Sequence, residues 1–324
     1  MAKLPITATT PPTVLAIYEH YERMRGEWRR AHLGASQIGT PCERALWYQF
    51  RWASAPSFDG RMLRLFDTGH REEARLIADL RAIGVEVHEV DESTGKQFEV
   101  SEHGGHFGGS LDGAGRGFRE SSQWHVLEFK TSNAKRFEEL KRQGVEKARP
   151  EHYAQMQVYM HLTGMQRAYY FAVCKDTDEI YGERVRYDAS KALWLLERAR
   201  RIITADAPPP RLSDDPDYYL CRWCDHRPVC HEGTLPEVSC RTCVHATPEL
   251  DGDRRWSCAY WRKDLTLNEQ KRACGQHLYL PGCTPWEVVD ADPEDNSITY
   301  PDHKNGGVGG LDSVTLREVV NGAD

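Results

Sequence analysis

The chain has 324 residues, 40% hydrophobic and 28% charged, enough to bury one large core and carry an appendage. No apolar run approaches the ~20 residues of a membrane span, and Met1-Ala2-Lys3-Leu4-Pro5 lacks the apolar stretch of a secretion signal, so a cytoplasmic protein without a membrane partner is expected. A net charge of -7 argues against a generally basic surface, so any nucleic acid must meet a local basic patch.

In chain order, residues 12–30 predict an amphipathic helix, with Leu15, Tyr18 and Tyr21 at helical spacing. Residues 32–44 form a loop into a helix that begins near Cys42, a residue that on its local context alone is an inert cysteine. Residues 59–83 predict a longer helix carrying Gly69-His70-Arg71-Glu72-Glu73. Glu73 and His70 lie on nearly one face of it, either one able to overhang a metal site, or to be a solvated charge. Residues 85–90 and 97–100 alternate as strands.

The densest chemistry comes next. An apolar run, residues 107–111, ends at Asp112-Gly113, and residues 124–131 read as a second strand. Alternation puts Glu128 and Lys130 on one face and Leu127 and Phe129 on the other, and a hairpin would bring Asp112 to Glu128. Paired carboxylates invite a hard divalent cation, Mg²⁺ or Mn²⁺, beside an amine, the set that phosphodiester hydrolysis needs. Alone, these residues equally describe a surface hairpin with a Glu–Lys pair. These strands together predict a mixed sheet of at least four strands.

Residues 134–147 are charged and helical, and with Arg149 they hold the clearest basic cluster: Lys135, Arg136, Lys141, Arg142 and Lys147. Pro150 opens a helix on which Gln155 and Tyr159, four apart, point the same way, as a phosphate- or strand-holding pair or as core. A hairpin over 167–187 and a helix over 190–204 lead to Pro208-Pro209-Pro210, a break between core and appendage. Eight of the ten cysteines then fall between Cys221 and Cys283. Cys221, Cys224 and Cys230 form a C-x2-C-x5-C run that leaves a tetrahedral site one ligand short. Cys42, or else His226 or His231, completes it for zinc or an iron-sulfur cluster.

Asp112, Glu128-Phe129-Lys130, Gln155-x3-Tyr159, the upstream Ser36-x5-Cys42-x-Arg44 and the C-x2-C-x5-C run, in this order over residues 36–230, resemble the RecB-like branch of the PD-(D/E)XK nucleases. Within it they are similar to the iron-sulfur members: CRISPR-adaptation exonucleases, the AddB nuclease domain and phage relatives. The resemblance implies an α/β fold with a restriction-endonuclease-like core, a central mixed sheet flanked by helices. It implies Glu73, Asp112, Glu128 and Phe129 around Mg²⁺ or Mn²⁺, with His70 in reserve, since an acid at the Glu73 position is more like the lambda-exonuclease and YqaJ relatives. It further implies Lys130 as catalytic lysine, Gln155 and Tyr159 as the strand-positioning pair, and a 4Fe-4S cluster on Cys42, Cys221, Cys224 and Cys230. The expected activity is metal-dependent exonucleolytic cleavage of linear DNA from its ends, in recombination, repair or end processing. Its setting would be a bacterial or phage-infected cytoplasm, with recombination or CRISPR-adaptation proteins as possible partners. A silent end-binding adaptor and a structure-specific endonuclease share the motifs.

Past Cys230, Cys240, Cys243, Cys258 and Cys274 suit a structural zinc, with His277 or Cys283 in reserve. The expected domains are a nuclease core with its cluster, 1–235, and a small Cys-rich, metal-bound module, 236–324. A hairpin (287–290, 297–300) and a Gly-rich loop (305–310) close that module.

Overall fold

The strand His125–Ser132 is buried at six of its eight positions, on both of its faces, as a strand covered on both sides must be. In the computed structural model, which describes residues 10–301, 308–311 and 316, it is the middle strand of a five-stranded sheet. The order across that sheet is Ile180–Arg186, Arg167–Cys174, His125–Ser132, Gly113–Arg116, Glu86–His88. Only the pairing of His125–Ser132 with Arg167–Cys174 is parallel, so the chain between them must cross over a face of the sheet.

Nine helices surround this sheet among the described residues: α1 (Pro12–Arg23), α2 (Glu43–Phe50), α3 (Gly60–Ala82), α4 (Ala134–Gln143), α5 (Val145–Ala148), α6 (Pro150–Thr163), α7 (Ala189–Thr204), α8 (Arg227–His231) and α9 (Leu267–Arg272). Val126, Tyr170 and Ala172 face a core built with Met156 and Tyr159 of α6 and Leu195 of α7. Leu127, Phe129, Phe171 and Val173 face Leu76, Ile77 and Leu80 of α3. The sheet is therefore a middle layer, mixed and flanked by helices, as expected.

Several features differ from the sequence reading. The expected four-stranded sheet divides: Phe107–Ser110 does not pair with the Glu128 strand but joins Leu33–Gly34 and Glu99–Glu102 in a separate three-stranded sheet. The partner of the Glu128 strand is Gly113–Arg116, whose sequence Gly-Ala-Gly-Arg carries almost no strand signal but lets backbones approach closely. The helix expected over 12–30 stops at Arg23, and that over 134–147 breaks at Gly144, where φ is 74°. Val308–Leu311, expected within a loop, pairs with Ser297–Pro301, which also pairs with Asp290–Asp292; residues 305–307 lie outside the described residues. No described helix is long and apolar enough to cross a membrane.

The Cys-rich segment packs into the main core. Trp256, Cys243 and Leu265 belong to the same buried cluster as Trp47 and Phe50 of α2. Two buried arginines hold the join. Arg241, 1% exposed, stacks on Trp52 with its guanidinium carbon 3.7 Å from the ring centroid. It donates to the carbonyls of Ala31 at 3.0 Å and Phe50 at 3.1 Å and to Gln270 Oε1 at 3.1 Å. Arg51 donates to the carbonyls of Ala205 at 3.0 Å and Arg241 at 3.3 Å. Removing the Arg241 side chain leaves buried acceptors unsatisfied and a void beside Trp52. Arg241→Ala is therefore expected to lower unfolding free energy by about 2–4 kcal/mol, measured by urea denaturation.

Candidate active site

Asp112 stands where the chain turns into Gly113–Arg116, and its Oδ2 accepts from the backbone N–H of Phe129 at 2.8 Å. That bond fixes the first carboxylate against the residue between Glu128 and Lys130. Lys130 Nζ donates to Glu128 Oε1 and to the Phe129 carbonyl at 3.2 Å, and it lies 3.9 Å from Asp112 Oδ2. Glu128 is 0% exposed, and its Oε2 has no protein partner. The structure thus brings Asp112, Glu128 and Lys130 together.

Glu73 joins them electrostatically from α3. Burial pushes its carboxyl up to about 7, with the Asp112 charge adding to the rise and Lys130 opposing it. Burial pushes Glu128 up to about 8, which Lys130 opposes and Asp112 reinforces. Burial alone would pull the Lys130 amine down, but Glu128 and Asp112 overcome it and hold the amine above its ordinary range. His70, in reserve for the Glu73 place, is exposed on α3.

Among the described residues no group of three or more His, Cys, Asp or Glu side chains forms a ready metal cage. The donor set nevertheless suits a hard cation. Glu73 and Glu128, both raised by burial and by the Asp112 charge, and Glu128 with an orphaned buried oxygen, are the charge excess that a divalent ion relieves. The Phe129 carbonyl lies beside them.

Gln155 and Tyr159 lie buried on α6, with Gln155 Nε2 donating to the Tyr159 hydroxyl at 3.4 Å. That hydroxyl donates to the Ser110 carbonyl at 2.9 Å. The phenol is thus committed to backbone two residues before Asp112. A Cβ at Gly109 would fall 2.6 Å from the Tyr159 oxygen, so glycine is required there. Two further side chains flank Glu128 that the motifs left out. Tyr170 is its partner on the parallel neighbour strand, and the Tyr170 hydroxyl lies 2.9 Å from Nδ1 of His152, one turn before Gln155 on α6. The only sequence signal was spacing: His152 sits three residues before Gln155 on a helix.

The cysteines gather as two sets, and all ten are free. Cys42 caps α2, its sulfur accepting from the Ala45 N–H at 3.4 Å. Cys42, Cys221, Cys224 and Cys230 line one cavity with Tyr48, His226 and His231. Burial raises the Cys221 and Cys224 thiols, Cys224 to about 11, and the charges of Cys42 and Cys230 add to both rises. Cys240, Cys243, Cys258 and Cys274 line a second cavity with His277. Burial pushes Cys240 to about 12, with Cys243, Cys274 and Cys258 adding to it. Cys283 is elsewhere: it is buried where its charge is felt by Arg51 and Arg44. Cys221, Cys224, Cys240 and Cys243, raised by burial and by neighbouring sulfur charges, are relieved by a cation that replaces their protons, and soft sulfur fits zinc or iron.

Buried histidines His32, His106, His152 and His226, which burial pulls down, favour the native state increasingly as pH rises toward the ordinary 6.5, so it is only above about pH 7 that the pH dependence of folding is set by the two raised carboxyls. Their native pKa values lie above the ordinary 4.5, so between about pH 5 and 8 the native state keeps protons that the unfolded chain has released. The metal-free protein is expected to lose stability as pH rises from about 7 to 8, with Mg²⁺ offsetting the loss and Glu128→Gln flattening the slope. Melting temperatures in EDTA across pH 7 to 8.5 provide the check. A melting temperature that climbs with pH there contradicts the buried-carboxyl account.

A family model described as the PD-(D/E)XK nuclease superfamily matches residues 8–231, more than half of the chain. No curated protein matches it. Among solved structures, LHK-Exo in complex with dAMP is 21% identical, with 54% of this chain and 87% of that one covered at a TM-score of 0.40. The alkaline exonuclease LHK-Exo from Laribacter hongkongensis is 20% identical, with 57% and 90% covered at 0.38. SSO0001 is 15% identical, with 68% and 96% covered at 0.42. Likenesses this distant bear on neither activity nor substrate. The chain belongs to the PD-(D/E)XK nuclease superfamily.

Proposed function

We propose that this protein is a metal-dependent DNA exonuclease that degrades linear DNA from its ends, in recombination, repair or end processing. Membership of the superfamily makes it a nuclease, implies DNA as substrate, and brings the use of divalent metals such as Mg²⁺ or Mn²⁺. The observation that carries the reading is Glu128: a wholly buried carboxylate with one oxygen spent on Lys130 and the other unpartnered, beside Asp112 and Glu73. A buried charge so placed is costly for folding, and it is kept where a bound cation needs it.

Glu73, Asp112, Glu128 and the Phe129 carbonyl would hold the metal. When bound, that ion supplies Lewis-acid polarisation of the phosphate and an acidified water. Lys130 stays protonated because two carboxylates surround it, so it donates hydrogen bonds to the attacking water or the developing phosphorane charge, and does not act as a base. Tyr159 holds the Ser110 carbonyl and so fixes the approach to Asp112, while Gln155, whose Oε1 is unpartnered, is placed to position the strand. Cys42, Cys221, Cys224 and Cys230 would carry a structural 4Fe-4S cluster, and Cys240, Cys243, Cys258 and Cys274 a zinc. The cluster rests on its shared cavity and on the family resemblance, the zinc on its shared cavity and on the spacing of its cysteines. The expected units are then a nuclease core with its cluster, 1–235, and the zinc segment, 236–324.

The deciding assay compares end-labelled linear DNA with covalently closed circles in Mg²⁺ or Mn²⁺, using anaerobically purified protein beside Lys130→Ala. Loss of linear DNA alone is expected, reduced about 10²-fold or more in the variant. Cutting of circles replaces the exonuclease by a structure-specific endonuclease. Binding without any cutting leaves an end-binding adaptor.

Metal analysis separates the two cysteine sets. Cys224→Ser is expected to lose iron and visible absorbance while keeping zinc, and Cys258→Ser to lose zinc while keeping iron.

A further inference from the structure

We propose that the cleft between residues 25–30, the start of α3 and the loop carrying Trp223 is a path for a single DNA strand leading to the catalytic acids. It rests on the nuclease reading above and names the form of DNA that reaches the site. The cleft measures about 560 Å³ and presents four rings, Trp28, Phe58, Phe66 and Trp223, with two cations, Arg25 and Arg30. Phe66 is 41% exposed and Trp223 54%, large apolar rings turned to solvent on two separate elements. Arg25 is held in place: it donates to the Pro56 carbonyl at 2.9 Å and its guanidinium carbon lies 5.3 Å from the Phe58 ring centroid. Glu27, an acid in the same wall, is bridged to Lys271 at 2.9 Å, which offsets its charge. Asp225 also lines the cleft, beside His226.

Rings interleaved with arginines offer stacking to bases and charge to phosphates. Bases in a duplex are already stacked and paired, so only an unpaired strand gains from them.

Both walls lie on or against elements that carry active-site residues. Phe66 and Glu73 are seven residues apart on α3, two turns, so they share one face about 10 Å apart along the axis. The opposite wall includes Gln37, Thr40 and Pro41. Gly39, within that stretch, is pressed on α6 so closely that a Cβ there would lie 2.6 Å from the Glu151 Cα. That wall therefore leads to the helix that carries Gln155. The strand enters over Trp223, beside Cys42 and Cys224, and leaves between Glu73 and Gln155.

The test measures anisotropy of a dye-labelled oligothymidylate and of a blunt hairpin duplex on the metal-loaded full chain, with Ca²⁺ replacing Mg²⁺ to suppress cutting. Phe66→Ala and Trp223→Ala are each expected to weaken single-strand binding roughly 5- to 100-fold, with duplex binding unchanged and Trp223→Phe retaining most of the affinity. Equal single-strand affinity in the Phe66→Ala/Trp223→Ala double variant, with wild-type unfolding and metal content, overturns the proposal. Cleavage in Mg²⁺ is read in parallel. A strand that is bound through these rings yet never cut supports the path and removes the nuclease reading. A strand cut equally by all variants removes the path and keeps the nuclease.

Discussion

A carboxyl group wholly removed from water must keep its proton or find a cation, and in this protein that group is Glu128. Lys130 supplies one, two residues along the same strand and on the same face, but it satisfies a single oxygen. The sheet around Glu128 is built so that water does not supply the rest: α3 covers one face and α6 and α7 the other, and the strand sits third of five. Removal from water is what makes the site chemically useful. In a low-dielectric setting each remaining charge acts strongly on its neighbours, so the charges of Asp112 and Lys130 shift Glu73 and Glu128 instead of being screened.

The site's frame depends on buried arginines that hold carbonyls. Arg198 of α7 donates to the carbonyls of Ile38 and Thr40, each at 2.7 Å, and to Glu43 at 3.1 Å. That contact fixes the loop whose Gly39 rests on α6 and whose end places Cys42 at the cap of α2. Arg241 and Arg51 do the same between the segment around residues 30–51 and the Cys-rich region. Five fixed donors on a planar fork suit several carbonyls at once, where a carboxylate partner would satisfy fewer acceptors. Two regions nearly 200 residues apart in sequence are therefore joined by side chain to backbone bonds, and the two cysteine sets are built on either side of that join.

Much of the layout was legible in the amino-acid order. The helix bearing Glu73 and the strand with Glu128 and Lys130 follow from local periodicity, because their apolar residues recur at 3.6 or 2, whereas the Gln155–Tyr159 helix, buried all round from Ala154 to Met160, is marked by Pro150 at its start and Gly164 at its end. Gly113–Arg116 was not legible, because two glycines and an alanine give no alternation to read. Its strand state comes from pairing with residues 125–127 on one side and 86–88 on the other. The separation of Phe107–Ser110 into its own sheet was hidden for a similar reason: its partner Leu33–Gly34 is two residues long and over 70 positions away.

By itself, then, the sequence determined which residues have the chemistry: three acids and a lysine at strand and helix spacing, an amide and a phenol four apart, and two sets of clustered thiols. Tertiary structure decided their state. Glu128 is buried and raised, Tyr159 is spent on the Ser110 carbonyl, Cys42 meets a loop almost 180 residues away, and Cys283 lies apart from the thiols nearest it in sequence. The reason is physical: spacing is a local property of the chain, whereas burial and charge coupling belong to contacts that exist only once distant segments have packed.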